Sequence, residues 1–250
     1  AKKPKLPIEK SIASPSLLAH IIINKYCDAW PLYRQIKVFE RYGFEFDRTS
    51  FANWMIKCGV LIQILINLIR EKILEYSIVH MDETPVQVLK EPEKSAQTKS
   101  YMWVMSSPKN VEHQAVLFNY SSSRSAQTPI ELLADFDGVL MTDGYSGYGK
   151  VSRKLDLNLL ACWVHARRYF KEAQLVKPKG KIKGPVSKAD HGLNFIAKLY
   201  AIEKKAEDFT ADEKMAIRQT QSKKVLADFK KWLDKNVANT APKTSIGKAI

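Results

Sequence analysis

Cysteine is scarce in this chain of 250 residues: Cys27, Cys58 and Cys162 are too few and too widely spaced for a disulfide framework, and a reducing compartment is the simpler reading. Long apolar runs are missing as well. The most apolar stretch, Val60 to Ile69, contains Gln63 and Asn67 and lies between Lys57 and Arg70, well short of the roughly 20 residues a membrane span requires. The basic start, Ala1-Lys2-Lys3-Pro4-Lys5, is followed by no signal-peptide core. Together these absences exclude a secreted cross-linked scaffold and an integral membrane protein. They lead us to expect a soluble, cytoplasmic protein with no membrane partner. Negative charge is also in short supply, with 26 Asp and Glu against 40 Lys and Arg, a net charge of +14. What remains is ordinary: an apolar content of 45% can fill a core, and 26% charged residues do not describe a disordered chain.

The distribution of charge says more than its total. Residues 1–75 hold 12 Lys and Arg against 7 Asp and Glu, residues 76–175 hold 11 of each, and residues 176–250 hold 17 against 8. Basic flanks around a neutral middle suit segments that hold a polyanion on either side of a carboxylate site. Solubility alone is the plainer alternative. These boundaries also coincide with changes in pattern, and they predict a helical segment over 1–75, a mixed α/β core over 76–175 and a basic helical insertion over 176–250.

In the first segment Ser14 caps a helix that opens on Pro15 and runs to about Ala29. Pro31 opens a second helix, which ends near Gly43. A third is predicted from Asp47 onward, with Phe51, Trp54, Met55, Cys58, Leu61, Ile62, Leu65, Leu68, Ile69 and Ile73 on an apolar stripe. That spacing describes one amphipathic helix of about seven turns, on the order of 40 Å long. Arg48 and Asn53 near its start fit the reading helix of a helix-turn-helix; a helical hairpin that only packs fits equally well.

From about Tyr76 the pattern turns to strands. Ser77 to Asp82 with Pro85 to Leu89, Tyr101 to Met105 and His113 to Tyr120 make three in succession. A short helix from Pro129, a strand over Gly138 to Thr142, a helix, and a strand over Asn158 to Trp163 follow. The last strand leads into a helix carrying Arg167 and Arg168, which suit either phosphates or acidic neighbours. This order is that of a ribonuclease-H-like α/β domain. Lys177 to Pro185 is a basic Gly/Pro stretch whose Lys179, Lys181 and Lys183 reach phosphates or simply keep a linker solvated. Two helices, His191 to Lys205 and Asp212 to Lys235, complete the pattern.

Two carboxylates stand out. Asp82 follows an apolar strand in Met81-Asp82-Glu83-Thr84-Pro85, and Asp143 ends another in Thr142-Asp143-Gly144-Tyr145-Ser146-Gly147-Tyr148. An aspartate in a buried strand is costly unless it binds something. Two on neighbouring strands offer hard oxygen ligands to Mg²⁺ or Mn²⁺, and the glycines after Asp143 let a phosphate backbone approach without a Cβ clash. Either aspartate alone reads as a turn residue; the pair, in this strand order, reads as a metal site. Glu83 falls on the opposite face of its strand and is not expected to be a ligand. Cys162 and His165 have no second pair nearby, which argues against a closed zinc site.

Further stretches carry a resemblance: Lys25-Tyr26-Cys27-Asp28, Pro31-Leu32-Tyr33-Arg34-Gln35, Asp82-Glu83-Thr84-Pro85-Val86-Gln87-Val88-Leu89, Asp143-Gly144-Tyr145-Ser146-Gly147-Tyr148 and Ala161-Cys162-Trp163-Val164-His165-Ala166-Arg167-Arg168. In this order they resemble the insertion-sequence-66 family of bacterial transposases, almost from end to end. The resemblance implies a DNA transposase with a ribonuclease-H-like core, acting as a homo-oligomer on mobile-element ends and target DNA. Asp82 would be the first catalytic and metal-binding carboxylate and Asp143 the second. Cys162 and His165 match a motif that looks structural. The family's cysteine-rich zinc segment has no match before Ser11, and its third carboxylate is expected beyond the point matching Ile250; Glu203, Glu207 and Glu213 are poor substitutes. The expectation is a chain truncated at both ends that binds DNA and cleaves it weakly or not at all. A metal-dependent nuclease or resolvase with the same core, and a non-catalytic DNA-binding remnant, are the alternatives.

Overall fold

A computed structural model describes residues 5–174 and 186–250. The chain divides into two compact units, Ala1–Glu75 and Tyr76–Ile250.

The first unit is helical. α1 (Pro15–Tyr26) starts where the Ser14 side chain accepts the Leu17 N–H and Pro15 takes the first helical position. α2 (Leu32–Arg41) ends in Gly43, whose φ of +81° places it in the left-handed region that closes a helix. α3 (Arg48–Leu61) is capped by Asp47, which accepts the Ser50 N–H. Leu18 and Ile21 of α1, Ile36 of α2, and Phe51, Trp54, Met55 and Cys58 of α3 form one core, joined by Phe39 and Phe46. Phe46 lies 5.2 Å from Phe51 and 5.8 Å from Trp54, between ring centroids.

The single long helix predicted from Asp47 to Ile73 is broken. α3 ends at Leu61, and α4 (Gln63–Leu74) continues at an angle of 48°. Of its predicted stripe, Phe51, Trp54, Met55, Cys58 and Ile73 are buried, whereas Leu61, Ile62, Leu65 and Leu68 are exposed. Packing lapses between Cys58 and Ile73, and Gly59 with β-branched Val60 and Ile62 lowers helix propensity where it does. Among the described residues no single helix is long and apolar enough to cross a membrane; α3 and α4 meet that test only as a bent pair.

The second unit is built on a five-stranded mixed sheet of order β3-β2-β1-β4-β5. β1 (Ile78–Gln87), β2 (Lys99–Ser106) and β3 (Val116–Ser121) form an antiparallel meander. β4 (Val139–Thr142) and β5 (Asn158–Ala161) run parallel to β1 on its other side. α5 (Gln127–Leu132) leads into β4, and α6 (Ser146–Leu155) joins β4 to β5. β3 starts three residues later than predicted. Ser107 and Ala115 exchange hydrogen bonds and the Gln114 amide donates to the Lys109 carbonyl, so His113 and Gln114 belong to the connecting loop.

α7 (Trp163–Glu172) leaves β5, and α8 (Lys188–Lys205) packs beside it behind a Ser187–Asp190 capping box. α9 (Ala211–Ile217) and α10 (Lys223–Val237) replace the single helix predicted from Asp212 to Lys235. A π-helical turn, Arg218–Ser222, separates them. Those five residues include no apolar side chain to hold an α-helical register. α11 (Ser245–Ala249) closes a cluster around Phe170, Ile196 and Phe229.

Candidate active site

The two parallel strands meet in a register that decides the site. Ile78, Val79 and His80 of β1 lie opposite Val139, Leu140 and Met141 of β4. The same offset, carried two residues further, sets Asp82 beside Asp143. Neighbouring strands run about 4.8 Å apart, and laterally paired residues share a face. By that count the two residues occupy equivalent positions at the carboxyl end of β4, and both carboxylates act on the Tyr148 hydroxyl. Here the chain order reverses across the sheet, the position where open α/β sheets form ligand sites. β1 continues past β4 as far as Gln87 with β2 alone beside it among the described strands, which is where Pro85 is tolerated.

Asp82 faces a small cavity of about 200 Å³ lined by His80, Ser106, Cys162 and His165. Its side chain is 50% exposed, and Oδ2 lies 3.3 Å from Nε2 of His165, whose own side chain is 18% exposed. The other His165 nitrogen, Nδ1, is buried with no hydrogen-bond partner among the described residues. His80 has its pKa lowered by burial and, secondarily, by Lys109. Asp143 is held differently: its Oδ1 accepts the Tyr145 N–H at 2.9 Å in the turn that opens α6.

The opposite face of β1 is closed. Val79, Met81, Trp103, Met105 and Leu140 are buried there, and Glu83 joins them with a side chain only 1% exposed. Both carboxylate oxygens are occupied. Arg124 donates to Oε1 through two guanidinium nitrogens, and the Tyr148 hydroxyl donates to Oε2 at 2.6 Å. Burial pushes the Tyr148 hydroxyl well above the ordinary tyrosine range, and Glu83, Asp143 and Asp82 push it in the same direction. Glu83 likewise outweighs the effect of burial on Arg124 and holds its guanidinium protonated. Arg124 also lies 3.7 Å from the centroid of the Tyr145 ring, while the Tyr145 hydroxyl donates to the Arg124 carbonyl at 2.9 Å. The Asp143 turn is thus fastened through Tyr145 and Tyr148 to the residue that follows Asp82.

Gly144 has nothing within 4 Å of the position a Cβ would take, so it keeps the access expected of it. Gly147 does not. A Cβ there would meet the Tyr145 ring at 2.2 Å, so its missing side chain makes room for Tyr145 and not for a phosphate.

The remaining candidates are scattered. Arg167 and Arg168 are exposed in the second turn of α7. Arg48 and Asn53 are exposed on α3 in the first unit, Arg48 lying 5.6 Å from the Tyr33 ring centroid. Lys179, Lys181 and Lys183 lie outside the described residues. Among the described residues no three His, Cys, Asp or Glu side chains converge as a metal cluster. Two carboxylates, one of them half-exposed, still fit Mg²⁺, which keeps several waters and is commonly held by one or two carboxylates together with substrate phosphates. His165 is the residue that sequence reading underrated. The usable signal was its place in the first turn after β5, which returns to the carboxyl end of the sheet.

Residues 10–250 match the model of the Transposase IS66 family. The chain is 28% identical to uncharacterized protein y4qI of Sinorhizobium fredii (strain NBRC 101917 / NGR234), over 97% of this chain and 46% of that protein. It is 28% identical to y4jD of the same strain, over 97% of this chain and 48% of that protein. A third relative there, y4hP, is 25% identical over 92% of this chain and 43% of its own length. The chain spans about half the length of these curated relatives.

Proposed function

Because the chain belongs to the Transposase IS66 family, we propose that it carries part of the active site of a DNA transposase that cuts and joins phosphodiester bonds at mobile-element ends. Its second unit serves as a ribonuclease-H-like core. The observation that carries this reading is the parallel pairing of β1 with β4 in the register His80 to Met141, which by count brings Asp82 and Asp143 to equivalent positions at the reversal point of the sheet. The strand order, an antiparallel meander extended by two parallel strands, supports it.

On this reading Asp82 and Asp143 hold Mg²⁺ or Mn²⁺. Such an ion, when bound, supplies Lewis-acid stabilisation and an activated oxygen nucleophile for in-line displacement at phosphorus. The chain's own groups do the positioning. His165 steadies one oxygen of Asp82, and the Tyr145 N–H fixes one of Asp143. Glu83, Arg124 and Tyr148 lock the turn behind them. Arg167 and Arg168, with Arg48, Asn53, Lys179, Lys181 and Lys183, provide contacts for DNA, whose phosphates dominate affinity. The third carboxylate is assigned to a part of the protein outside this chain, consistent with the greater length of its relatives.

The test is a Mn²⁺ titration of the chain followed by electron paramagnetic resonance. Asp82→Asn and Asp143→Asn should each weaken binding about ten-fold, equivalent to about 1.4 kcal/mol. Binding unchanged in both variants would sink the site. So would divalent-metal-dependent nicking of DNA that survives Asp82→Asn intact.

A further inference from the structure

A cavity separate from the one beside Asp82 lies in the second unit. It holds about 500 Å³ between α7, α8, the π-helical turn and α10, a volume within the range of small-ligand sites. Its walls include Trp163, Tyr200 and Leu226, which are 38%, 40% and 42% exposed. Trp163 is backed by the core aromatic Phe229 at 6.2 Å between ring centroids.

The polar groups at this cavity are unusual for a gap between helices. Ser222 lines it, is 8% exposed, and its hydroxyl has no hydrogen-bond partner among the described residues. A serine within a helix ordinarily satisfies itself on the preceding turn, as Thr220 does by donating to the Ala216 carbonyl at 2.9 Å. Ser222 also closes the π-helical turn, a distortion that occurs frequently at functional sites. Arg218 and Glu203, joined by two hydrogen bonds of 2.9 and 2.7 Å, stand at the same cavity together with Gln219 and Lys223.

Position supplies the remaining argument. Trp163 opens α7, directly after Cys162 and two residues before His165. Those two neighbours line the Asp82 cavity, whereas Trp163 lines the larger one. A single helical turn is therefore the wall between the two.

We propose that this cavity receives one unpaired nucleobase of DNA, next to the cavity that Asp82 faces. Aromatic and apolar walls accept the π-face of any base. Ser222 and Gln219 can pair with its edge, and Lys223 suits the adjoining phosphate. The proposal rests on the reading of this protein as acting on DNA, but not on the metal site.

The full chain is titrated, without divalent ions, with two otherwise identical duplexes. One carries a single unpaired 2-aminopurine, and in the other that base is paired. The expected result is tighter binding of the unpaired duplex, with quenching of its fluorescence. Trp163→Ala should remove both, weakening that duplex about ten-fold while shifting the paired one less than two-fold. Trp163→Phe should keep the preference. Tyr200→Ala, a change at a half-exposed position, should lose part of it, which keeps the test open if Trp163→Ala does not fold. Equal binding of the two duplexes, or equal weakening of both by these variants, would overturn the proposal. Loss of the Mn²⁺ titration with the base preference intact breaks the metal site alone; the reverse breaks only this cavity.

Discussion

Asp82 and Glu83 are consecutive carboxylates on one strand, and they lead opposite lives. Glu83 points into the closed face, loses nearly all contact with water, and has both oxygens occupied by Arg124 and Tyr148. Asp82 points the other way, stays half-exposed, accepts its neighbour's N–H on Oδ1 at 2.9 Å, and has one histidine at hydrogen-bonding range of Oδ2. A buried carboxylate must be fully partnered to be tolerated, so Glu83 has no capacity left for a ligand. Asp82 keeps lone pairs free because its desolvation was never completed. The two-residue period of a strand thus divides one acidic pair into a buried fastener and a half-exposed group, the one we propose binds metal.

The sharpest way to break this comparison is to remove each carboxylate in turn. Glu83→Ala strands a guanidinium and a buried phenol, and should cost about 3 kcal/mol of stability in urea unfolding. Asp82→Ala should cost less than about 1 kcal/mol. Equal losses would show that the two faces do not differ as described. Next in size, Gly147→Ala forces a methyl group against the Tyr145 ring and should cost about 2 kcal/mol. Since Tyr145 holds Asp143, the same variant should also weaken Mn²⁺ binding. Tyr148→Phe removes one hydrogen bond to a buried charge and should cost about 1.5 kcal/mol, leaving Mn²⁺ affinity within two-fold.

The smallest effect belongs to a surface pair offered as contrast. The hydrogen bond from Arg218 lowers the pKa of Glu203 below its ordinary value of 4.5. Stability from that pair is present above 4.5 and disappears as pH falls through the lower, folded-state value. Glu203→Gln should therefore be slightly less stable at neutral pH, by well under about 1 kcal/mol for so exposed a pair. The gap should close as the pH falls through the lowered folded-state value. A gap that widened in acid would contradict the pairing.

How far the sequence could be read depended on whether the signal was local. Ser14-Pro15 and Asp47 announce helix starts, and Ser77 to Met81 announces a strand, because caps and alternation act over a few residues. Asp143 was legible as a strand-end acid for the same reason, whereas Asp82 falls inside β1, which runs on to Gln87. The break at Ile62 was not, since apolar residues there surround the axis and no stripe records which side is packed. The π-helical turn left no mark in a run of polar residues. Glu83 and Arg124 are 41 residues apart, and Glu83 and Tyr148 are 65 apart. No period or motif encodes such a meeting, and the place of His165 beside Asp82 depends on the order of strands in the sheet.

One consequence follows from the unequal lengths of β1 and β4. Because β1 outruns its neighbour, the acidic pair stands on a shelf, with Thr84, Pro85 and Gln87 exposed further along its rim. A stiff polymer can be laid along a shelf and touched at one phosphate, whereas a free nucleotide finds few walls there to grip it. On the proposed reading, such an edge suits an extended chain better than a single nucleotide.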